Sequence, residues 1–187
     1  MWRFWGWLLL IPVLALAGTG MHVDHRHWRD IYDPLFRKYT KHYFGPHVDW
    51  RWFKAQGIAE SGLNPHARSP AGALGIMQIL PSTYREIRRR NPLIQDISEL
   101  RWNIAAAIFY DRQLYLKWKR KPDLNTGDCL KFTFASYNAG YGRILKAYDR
   151  ARRKHGKIRR WEHVAPFVPP ETRAYVARIQ RLMDLKP

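Results

Sequence analysis

The 187-residue sequence contains one cysteine and few acidic residues. Because Cys129 has no second cysteine to pair with, an intramolecular disulfide and a zinc site built on several cysteines are both excluded. Only 15 Asp and Glu oppose 33 Lys and Arg, which gives a net charge of +18. A charge of this sign attracts polyanions such as nucleic acid, anionic lipid or an acidic cell-wall polymer, and composition alone does not choose among them.

The sequence also lacks the patterns of several common protein classes. It has no zinc-ligand spacing, no Gly-rich phosphate loop and no RNA-binding signature, so we expect no nucleic-acid partner. Its eight His are scattered, and we expect no metal site. Low-complexity linkers, internal repeats and alternation of period two are nearly absent, which predicts one mainly α-helical domain.

The first 20 residues form a targeting signal. Arg3 is followed by no other charged residue until Asp24, and residues 7–17 are a compact apolar run that ends in a small-x-small cleavage pattern before Gly18. The run is short for a spanning helix, which needs about 20 apolar residues, although residues 5–21 approach that length. Residues 1–20 are therefore predicted to be a signal peptide or an N-terminal membrane anchor, and both alternatives imply export.

Residues 24–187 are predicted to form the folded domain. Hydrophobic periodicity and end signals predict seven helices, over residues 24–43, 49–62, from 81 onward, 100–118, 127–137, 140–154 and 170–185. The inner positions of the fourth helix are predicted to be Ile104, Ala107, Ile108, Leu114 and Trp118.

Glu60 is the first candidate for a chemical role. It follows Gln56 by four residues and Trp52 by eight, so the three share one helix face. If that face is buried, desolvation raises the pKa of Glu60, as a general acid at neutral pH requires. The alternative is an ordinary exposed Glu in a last helical turn. No Asp or Glu lies between Glu60 and Glu86, so the following loop cannot supply the second carboxylate of most glycosidases, although Glu162 or Glu171 could fold back.

Four ordered motifs resemble the soluble lytic transglycosylase (SLT) family. They are Glu60-Ser61, the segment from Ser69 to Thr83, the segment from Ala135 to Gly140, and the segment from Glu171 to Val176. Their order and spacing match across roughly residues 48 to 183, and the segment from Tyr32 to Phe36 most resembles the membrane-bound branch called F. The resemblance implies a lysozyme-like fold, of the goose-type lysozyme and SLT kind, around a saccharide-binding groove. It also implies a catalytic domain that needs no cofactor.

The resemblance implies roles for eight residues. Glu60 would protonate the glycosidic oxygen between N-acetylmuramic acid and N-acetylglucosamine. Substrate-binding roles are implied for Ser61, Ser69, Met77, Gln78, Tyr137, Asn138 and Tyr175. The residues themselves leave alternatives open: Met77 can fill the core, Ser69 can cap a turn, and the segment 138–140 can end a helix.

The expected reaction follows from a single carboxylate. The muramoyl N-acetyl group would stabilise the anomeric centre, and the sugar's own C6 hydroxyl would then attack to form a 1,6-anhydro ring. Alternatives are a lysozyme-type muramidase that uses water and a non-catalytic peptidoglycan-binding module. The expected partners are peptidoglycan glycan strands and, because the chain is small, an envelope-spanning secretion or conjugation apparatus. The expected location is the periplasm or cell envelope, with residues 5–21 as an alternative inner-membrane anchor.

Overall fold

The protein is seen in a computed structural model that describes residues 28–185. Within that range the α-helices are α1 Asp33–Phe44, α2 Arg51–Ser61, α3 Pro81–Arg90, α4 Leu100–Lys119, α5 Cys129–Ala139, α6 Tyr141–His155 and α7 Pro170–Asp184. The β structure of these residues consists of two isolated bridges, Arg68 with Leu74 and Leu74 with Ile79. The prediction of a mainly α-helical fold is therefore confirmed.

The predicted leader, residues 1–20, and the alternative anchor, residues 5–21, lie outside the described residues. Of the helices between residues 28 and 185, none is long and apolar enough to cross a membrane. The boundaries of the predicted domain, residues 24–187, also extend beyond the described range at both ends.

The start of the first helix differs from the sequence prediction. Trp28 and Arg29 are not helical, residues 30–32 form a 3-10 turn, and α1 begins at Asp33 with Pro34 in its first turn. Proline is tolerated there because the first-turn N–H groups have no helical acceptor. The buried Lys54 of α2 fixes this segment, since its ammonium group donates to the Trp28 carbonyl at 3.2 Å and pairs with the Asp33 carboxylate.

The end of α2 matches the prediction. Gly62 adopts a left-handed conformation, with φ of 64°, and its N–H donates to the carbonyl of Ile58 at 2.9 Å. A glycine in this conformation is a common helix end because a side chain there would be strained. At the other end of α2, the carboxylate of Asp49 accepts a hydrogen bond from the N–H of Arg51 at 3.0 Å. These two ends leave Glu60 in the last turn of α2.

Helix α4 lies at the centre of the domain, where it packs against α1 and α5, while α2 packs against α7. Its predicted inner positions are all fully buried. At the C-terminal half of α4, Trp118 packs against rings of α5 and α6, and Phe132 of α5 packs in turn against Trp161 in the 3-10 turn at residues 161–163. We call Trp118, Phe132, Tyr148 and Trp161 the aromatic cluster; Trp118 and Phe132 have ring centroids 4.8 Å apart, and Phe132 and Trp161 5.2 Å apart.

Candidate active site

Glu60 lies in the last turn of α2 on the side that faces α7, and the residue is partly buried. The hydroxyl of Tyr175 on α7 donates a hydrogen bond to Oε1 of Glu60 at 2.5 Å. Burial raises the pKa of Glu60 to about 7, while the Tyr175 hydrogen bond and the charge of Arg178 lower it by smaller amounts. The direction and the main cause are those expected from the helix face that Glu60 shares with Gln56, which is fully buried. A carboxyl group with this pKa holds its proton in a large share of molecules near neutral pH, as a general acid must.

Arg178 is a site residue that sequence analysis missed. Its guanidinium group donates to the carbonyls of Ala59 at 3.3 Å and Ile58 at 3.5 Å, in the last turn of α2. A cation satisfies the free carbonyls at a helix C-terminus and opposes their partial negative charge. The available signal was spacing, since Arg178 follows Tyr175 by three residues and so shares its helix face.

The loop between α2 and α3 is fastened by the two predicted serines. The hydroxyl of Ser61 donates to the carbonyl of Ile76 at 2.8 Å and accepts from the N–H of Asn64 at 3.0 Å. The hydroxyl of Ser69 accepts from the N–H of Ala73 at 3.0 Å. Both hydroxyls therefore hold loop backbone, and Ser69 occupies the turn-capping position that its sequence context also allowed.

Gln78 has an unusual backbone conformation in this loop. Its φ of +48° lies in the left-handed region, which costs free energy for a residue other than glycine. Its side-chain amide donates to the carbonyls of Gly75 at 2.9 Å and Ala67 at 3.2 Å, which ties two parts of the loop together. Residues held in this way often lie at functional sites, where the surrounding structure offsets the strain.

A buried asparagine, Asn103 of α4, supports the same loop and was not predicted. Its amide donates to the carbonyls of Leu74 at 3.0 Å and Ile97 at 2.8 Å, and its oxygen accepts from the N–H of Met77 at 2.9 Å. The loop backbone approaches so closely that a Cβ on Gly75 would lie 2.5 Å from Nδ2 of Asn103. Asn103 thus fixes the position of the loop relative to the centre of the domain.

Tyr137, Met77 and Asn138 have different surroundings. The hydroxyl of Tyr137 donates to the carbonyl of Met77 at 2.8 Å, and burial together with the charge of Glu60 raises the Tyr137 pKa. The Met77 side chain is fully buried, so the loop presents Met77 to Tyr137 through its backbone. Asn138 is exposed near the end of α5, and its Oδ1 accepts from the hydroxyl of Thr172 at 2.8 Å. Direct contact of these residues with a sugar stays a prediction.

Asp111 is a second carboxyl group at the site, and sequence analysis missed it. It is fully buried on α4, and its Oδ1 accepts from the amide of Gln56 at 3.5 Å. Burial raises its pKa well above the usual range, and the charge of Glu60 raises it further, while the Gln56 hydrogen bond lowers it. The sequence does contain a sign of it: Asp111 is an acidic residue on the inner face of α4, which is otherwise apolar from Ile108 to Leu114.

We call the five side chains that meet here the carboxyl cluster; they are Gln56, Glu60, Asp111, Tyr137 and Tyr175. The structure thus brings three predicted site residues, Glu60, Tyr137 and Tyr175, into one interacting group. Ser61 ends α2 and holds the adjoining loop, to which Met77 and Gln78 belong. Ser69 lies in the outer turn of that loop, and Asn138 pairs with α7 instead. Within residues 28–185, no three His, Cys, Asp or Glu side chains form a group that could hold a metal ion.

Two surface cavities differ in their relation to the loop. One, of about 210 Å³, is lined by loop residues 65–68, 74 and 75 together with Ser98. The other, of about 400 Å³, is lined by residues 122–125, 159 and 160, none of which belongs to the carboxyl cluster. The smaller cavity adjoins the loop that Ser61 and Asn103 hold, which makes it the better candidate for part of a groove. A long saccharide groove stays a prediction.

Comparison with known proteins agrees with the fold and the motifs. The profile of the transglycosylase SLT domain family matches residues 35–159, and the chain belongs to this family. Membrane-bound lytic murein transglycosylase F of Aliivibrio fischeri is 31% identical over 139 residues, which cover 74% of this chain and 26% of the relative. The corresponding protein of Marinobacter nauticus is 32% identical over 168 residues, which cover 89% of this chain and 31% of the relative.

The fold is that of a solved lytic transglycosylase. The crystal structure of the 70-kDa soluble lytic transglycosylase of Escherichia coli matches with a TM-score of 0.67 and 25% identity, over 84% of this chain and 24% of that one. The resemblance to the SLT family and its F branch is therefore confirmed, as is the fold class. The chain spans between a quarter and a third of the length of the two curated relatives, so the activity of those whole proteins does not transfer by likeness alone.

Proposed function

We propose that this protein is a peptidoglycan lytic transglycosylase with Glu60 as its acid and base. The proposal rests on one observation above all: a partly buried carboxyl group with a pKa raised to about 7 sits where the family motifs begin. The substrate bond is the β-1,4 linkage from N-acetylmuramic acid to N-acetylglucosamine. The relatives are named as murein transglycosylases, which supports this substrate class.

In the first step, Glu60 donates its proton to the glycosidic oxygen as the bond to the anomeric carbon breaks. A raised pKa favours the protonated acid before the step, and the Tyr175 hydrogen bond and Arg178 stabilise the carboxylate that forms. The N-acetyl oxygen of the muramoyl sugar stabilises the electron-poor anomeric carbon. In the second step, the Glu60 carboxylate accepts the proton of the C6 hydroxyl, whose oxygen attacks that carbon and closes the 1,6-anhydro ring.

Three candidates for a second carboxylate, Glu162, Glu171 and Asp111, have surroundings that favour ring closure over a two-carboxylate mechanism. Glu162 pairs with Lys131 at 2.8 Å, and Glu171 is exposed in the first turn of α7. Asp111 interacts with Glu60, but it is fully buried and has no surface for a sugar. A glycosidase of the usual kind needs a second carboxyl group of the enzyme in contact with the substrate. The intramolecular C6 hydroxyl supplies the nucleophile instead, at high effective concentration.

We propose that the remaining predicted residues bind or orient the glycan strand around Glu60. The strained, hydrogen-bonded Gln78 and the fastened Ser61 and Ser69 would give the loop a fixed surface toward the sugar. Tyr137 and Tyr175 would face the reacting centre, and Met77 would support Tyr137. Asn138 would act at the open end of α5, where it is exposed.

The test is digestion of purified sacculi by the full chain, followed by mass spectrometry of the soluble muropeptides. Products that end in 1,6-anhydro-muramic acid are expected, and Glu60→Gln should abolish them while the protein still binds sacculi. Glu162→Gln is the matched control, because it makes the same chemical change in a carboxyl group that pairs with Lys131 and should leave the products intact. Reducing-end products would instead identify a lysozyme-type muramidase. Bound sacculi without products in the wild type would identify a non-catalytic module.

We further propose that the enzyme works in the cell envelope after export. The names of the relatives as membrane-bound enzymes and the predicted leader support this location. Delivery by a secretion or conjugation apparatus stays a prediction. The net charge of +18 favours attachment to acidic wall polymers, and such attachment should weaken as salt is added, because exposed charges are screened.

A further inference from the structure

Asp111 and Gln56 leave two buried oxygen atoms without hydrogen-bond partners. Both residues are fully buried, and one hydrogen bond, from Nε2 of Gln56 to Oδ1 of Asp111, joins them. The unpaired atoms are Oε1 of Gln56 and Oδ2 of Asp111, the second oxygen of each group. An unpaired polar atom in a protein interior costs free energy, so these two atoms call for an explanation.

One proton on Asp111 would give both unpaired oxygens a hydrogen-bond partner. If Asp111 is ionised, both unpaired atoms are acceptors, and neither can satisfy the other. If Oδ2 of Asp111 carries a proton, it becomes a donor. The unpaired amide oxygen of Gln56 can then accept its hydrogen bond. A carboxylic acid and a primary amide are complementary in this way, with one hydrogen bond in each direction.

We propose that Asp111 is held protonated in the folded enzyme and that its acid–amide pair with Gln56 is a positioning device beneath Glu60. Gln56 precedes Glu60 by one turn on the same face of α2, so fixing its amide fixes the helix end that carries the acid. Asp111 acts through Gln56 and Glu60 and touches no substrate. The role in catalysis rests on the proposed function, whereas the protonation of Asp111 does not.

The groups that face Asp111 favour its neutral form. Glu60 on α2 acts on it as a like charge, and the hydroxyls of Tyr137 on α5, Tyr175 on α7 and Tyr110 on α4 interact with it electrostatically. Two cations act on these neighbours: Arg178 acts on Glu60 and Tyr175, and Arg90 acts on Tyr110. Burial is the main cause that raises the Asp111 pKa, and the Gln56 hydrogen bond is the opposing one.

A neutral Asp111 has a consequence for the acid step. When Glu60 gives up its proton, a negative charge appears in a site of low dielectric constant. A second charge nearby would oppose that change, as it does in paired carboxylates that cannot both ionise. Because Asp111 keeps its proton, the charge on Glu60 is the single carboxylate charge of the carboxyl cluster during the reaction.

The direct test is a titration of the full chain labelled with ¹³C at the aspartate carboxyl carbons, followed by NMR. One aspartate signal should keep the chemical shift of a protonated carboxyl group through the pH range around 7 in which Glu60 titrates, and Asp111→Asn should remove that signal. In Glu60→Gln the same signal should titrate at lower pH, because the like charge is gone. A carboxylate shift for Asp111 at neutral pH would overturn the proposal. The titration needs no turnover, so it stays decisive if the sacculus digestion fails.

Substitutions test the positioning role. Asn at position 111 keeps a neutral side chain that can donate to Gln56 Oε1, so Asp111→Asn should have a kcat at least about 5-fold above that of Asp111→Leu and should leave the alkaline limb of the pH profile in place. Asp111→Leu removes the pair and should lower kcat about 10-fold with a smaller change in KM, because the acid is misplaced. Loss of activity in Asp111→Asn with the fold intact would overturn the proposal.

Asp128 provides the matched control. It is also a buried aspartate, but it pairs with Lys131 at 2.8 Å and accepts from the N–H of Trp161 at 3.2 Å. Asp128→Asn breaks an ion pair and should lower the midpoint of thermal unfolding, whereas Asp111→Asn should not lower it. Equal losses of thermal stability in the two variants would overturn the proposal, because the amide introduced by Asp111→Asn would then fail to replace the acid in its pair with Gln56.

Discussion

The aromatic cluster and the carboxyl cluster both include residues of α4 and α5, yet they differ in whether their buried polar atoms have hydrogen-bond partners. Helix α4 carries Asp111 and, two turns later, Trp118, while α5 carries Phe132 and then Tyr137. In the aromatic cluster, Nε1 of Trp118 donates to the hydroxyl of Ser136 at 2.9 Å, so its polar atom has a partner. In the carboxyl cluster, two buried oxygens have none, and burial raises the pKa of two carboxyl groups.

This difference associates the aromatic cluster with the stability of the domain and the carboxyl cluster with its chemistry. Packed rings with satisfied polar atoms stabilise the folded state, since each ring removes a large apolar area from water. Buried carboxyl groups reduce stability when they ionise, and shifts of this kind cluster at functional sites. Substitutions in the aromatic cluster should therefore change the free energy of unfolding. Substitutions in the carboxyl cluster should change how that free energy depends on pH.

Trp118→Ala should show the largest effect. Trp118 is fully buried, and its truncation leaves a cavity and an unpaired Ser136 hydroxyl, so we expect a loss of about 4 kcal/mol in the free energy of unfolding. Chemical denaturation measures the loss, and Trp118→Phe should recover part of it. The pKa that limits activity at alkaline pH should not move. A shift of that pKa without a loss of stability would contradict the separation of the two clusters.

Glu60→Gln should stabilise the protein, in a way that depends on pH. Below pH 4.5 the carboxyl group is protonated in both states; between 4.5 and about 7 it ionises in the unfolded state first, which lowers the stability of the wild type. Gln removes this loss, so the variant should exceed the wild type by at most about 3 kcal/mol above pH 7 and by little below pH 4.5. Denaturation at several pH values measures the difference. A constant difference at all pH values would mean that the pKa of Glu60 is not raised.

Sequence analysis identified the parts of the site that depend on local pattern. The face shared by Trp52, Gln56 and Glu60 follows from helix periodicity, and the end of α2 at Gly62 follows from glycine's conformational freedom. The inner residues of α4 were predicted by the same periodicity. Each of these predictions concerns residues within a few turns of one another, where spacing along the chain determines spacing in the structure.

The residues that were missed act across helices. Asp111 lies opposite Gln56, Asn103 lies opposite the loop at Met77, and Arg178 lies opposite the end of α2. Periodicity places such residues on the inner side of their own helix, but which groups they meet depends on how α4 and α7 are positioned relative to α2 and the loop after it. An Asp or Asn on an otherwise apolar face is the signal that sequence analysis should have followed.

Gly75→Ala tests how firmly α4 holds the loop. The new Cβ would lie 2.5 Å from Nδ2 of Asn103, whose three hydrogen bonds prevent an easy shift, so we expect a loss of about 2 kcal/mol together with lower activity. Gly156→Ala is the matched control, because Gly156 also has a positive φ, of +75°, but its Cβ would meet nothing within 4 Å. The control should cost about 1 kcal/mol and leave activity intact. Equal losses would mean that backbone conformation, not the contact with Asn103, accounts for the effect.

Tyr175→Phe should have the smallest effect on stability and the most specific effect on chemistry. It removes the hydroxyl that donates to Glu60, at a cost of about 1 kcal/mol in the free energy of unfolding. Because that hydrogen bond lowers the pKa of Glu60, its loss should raise the pKa and move the alkaline limb of kcat/KM to higher pH.

Tyr148→Phe makes the same chemical change in the aromatic cluster and should leave the alkaline limb in place. A fall in kcat is expected for Tyr175→Phe as well, since the hydroxyl stabilises the Glu60 carboxylate that the acid step creates. A limb that moves to lower pH would mean that Tyr175 favours the protonated form of Glu60. The hydroxyl would then accept a hydrogen bond from the protonated Glu60. In that case the Tyr175 contact would favour the acid over the carboxylate, and it would not help to stabilise the charge that the acid step creates.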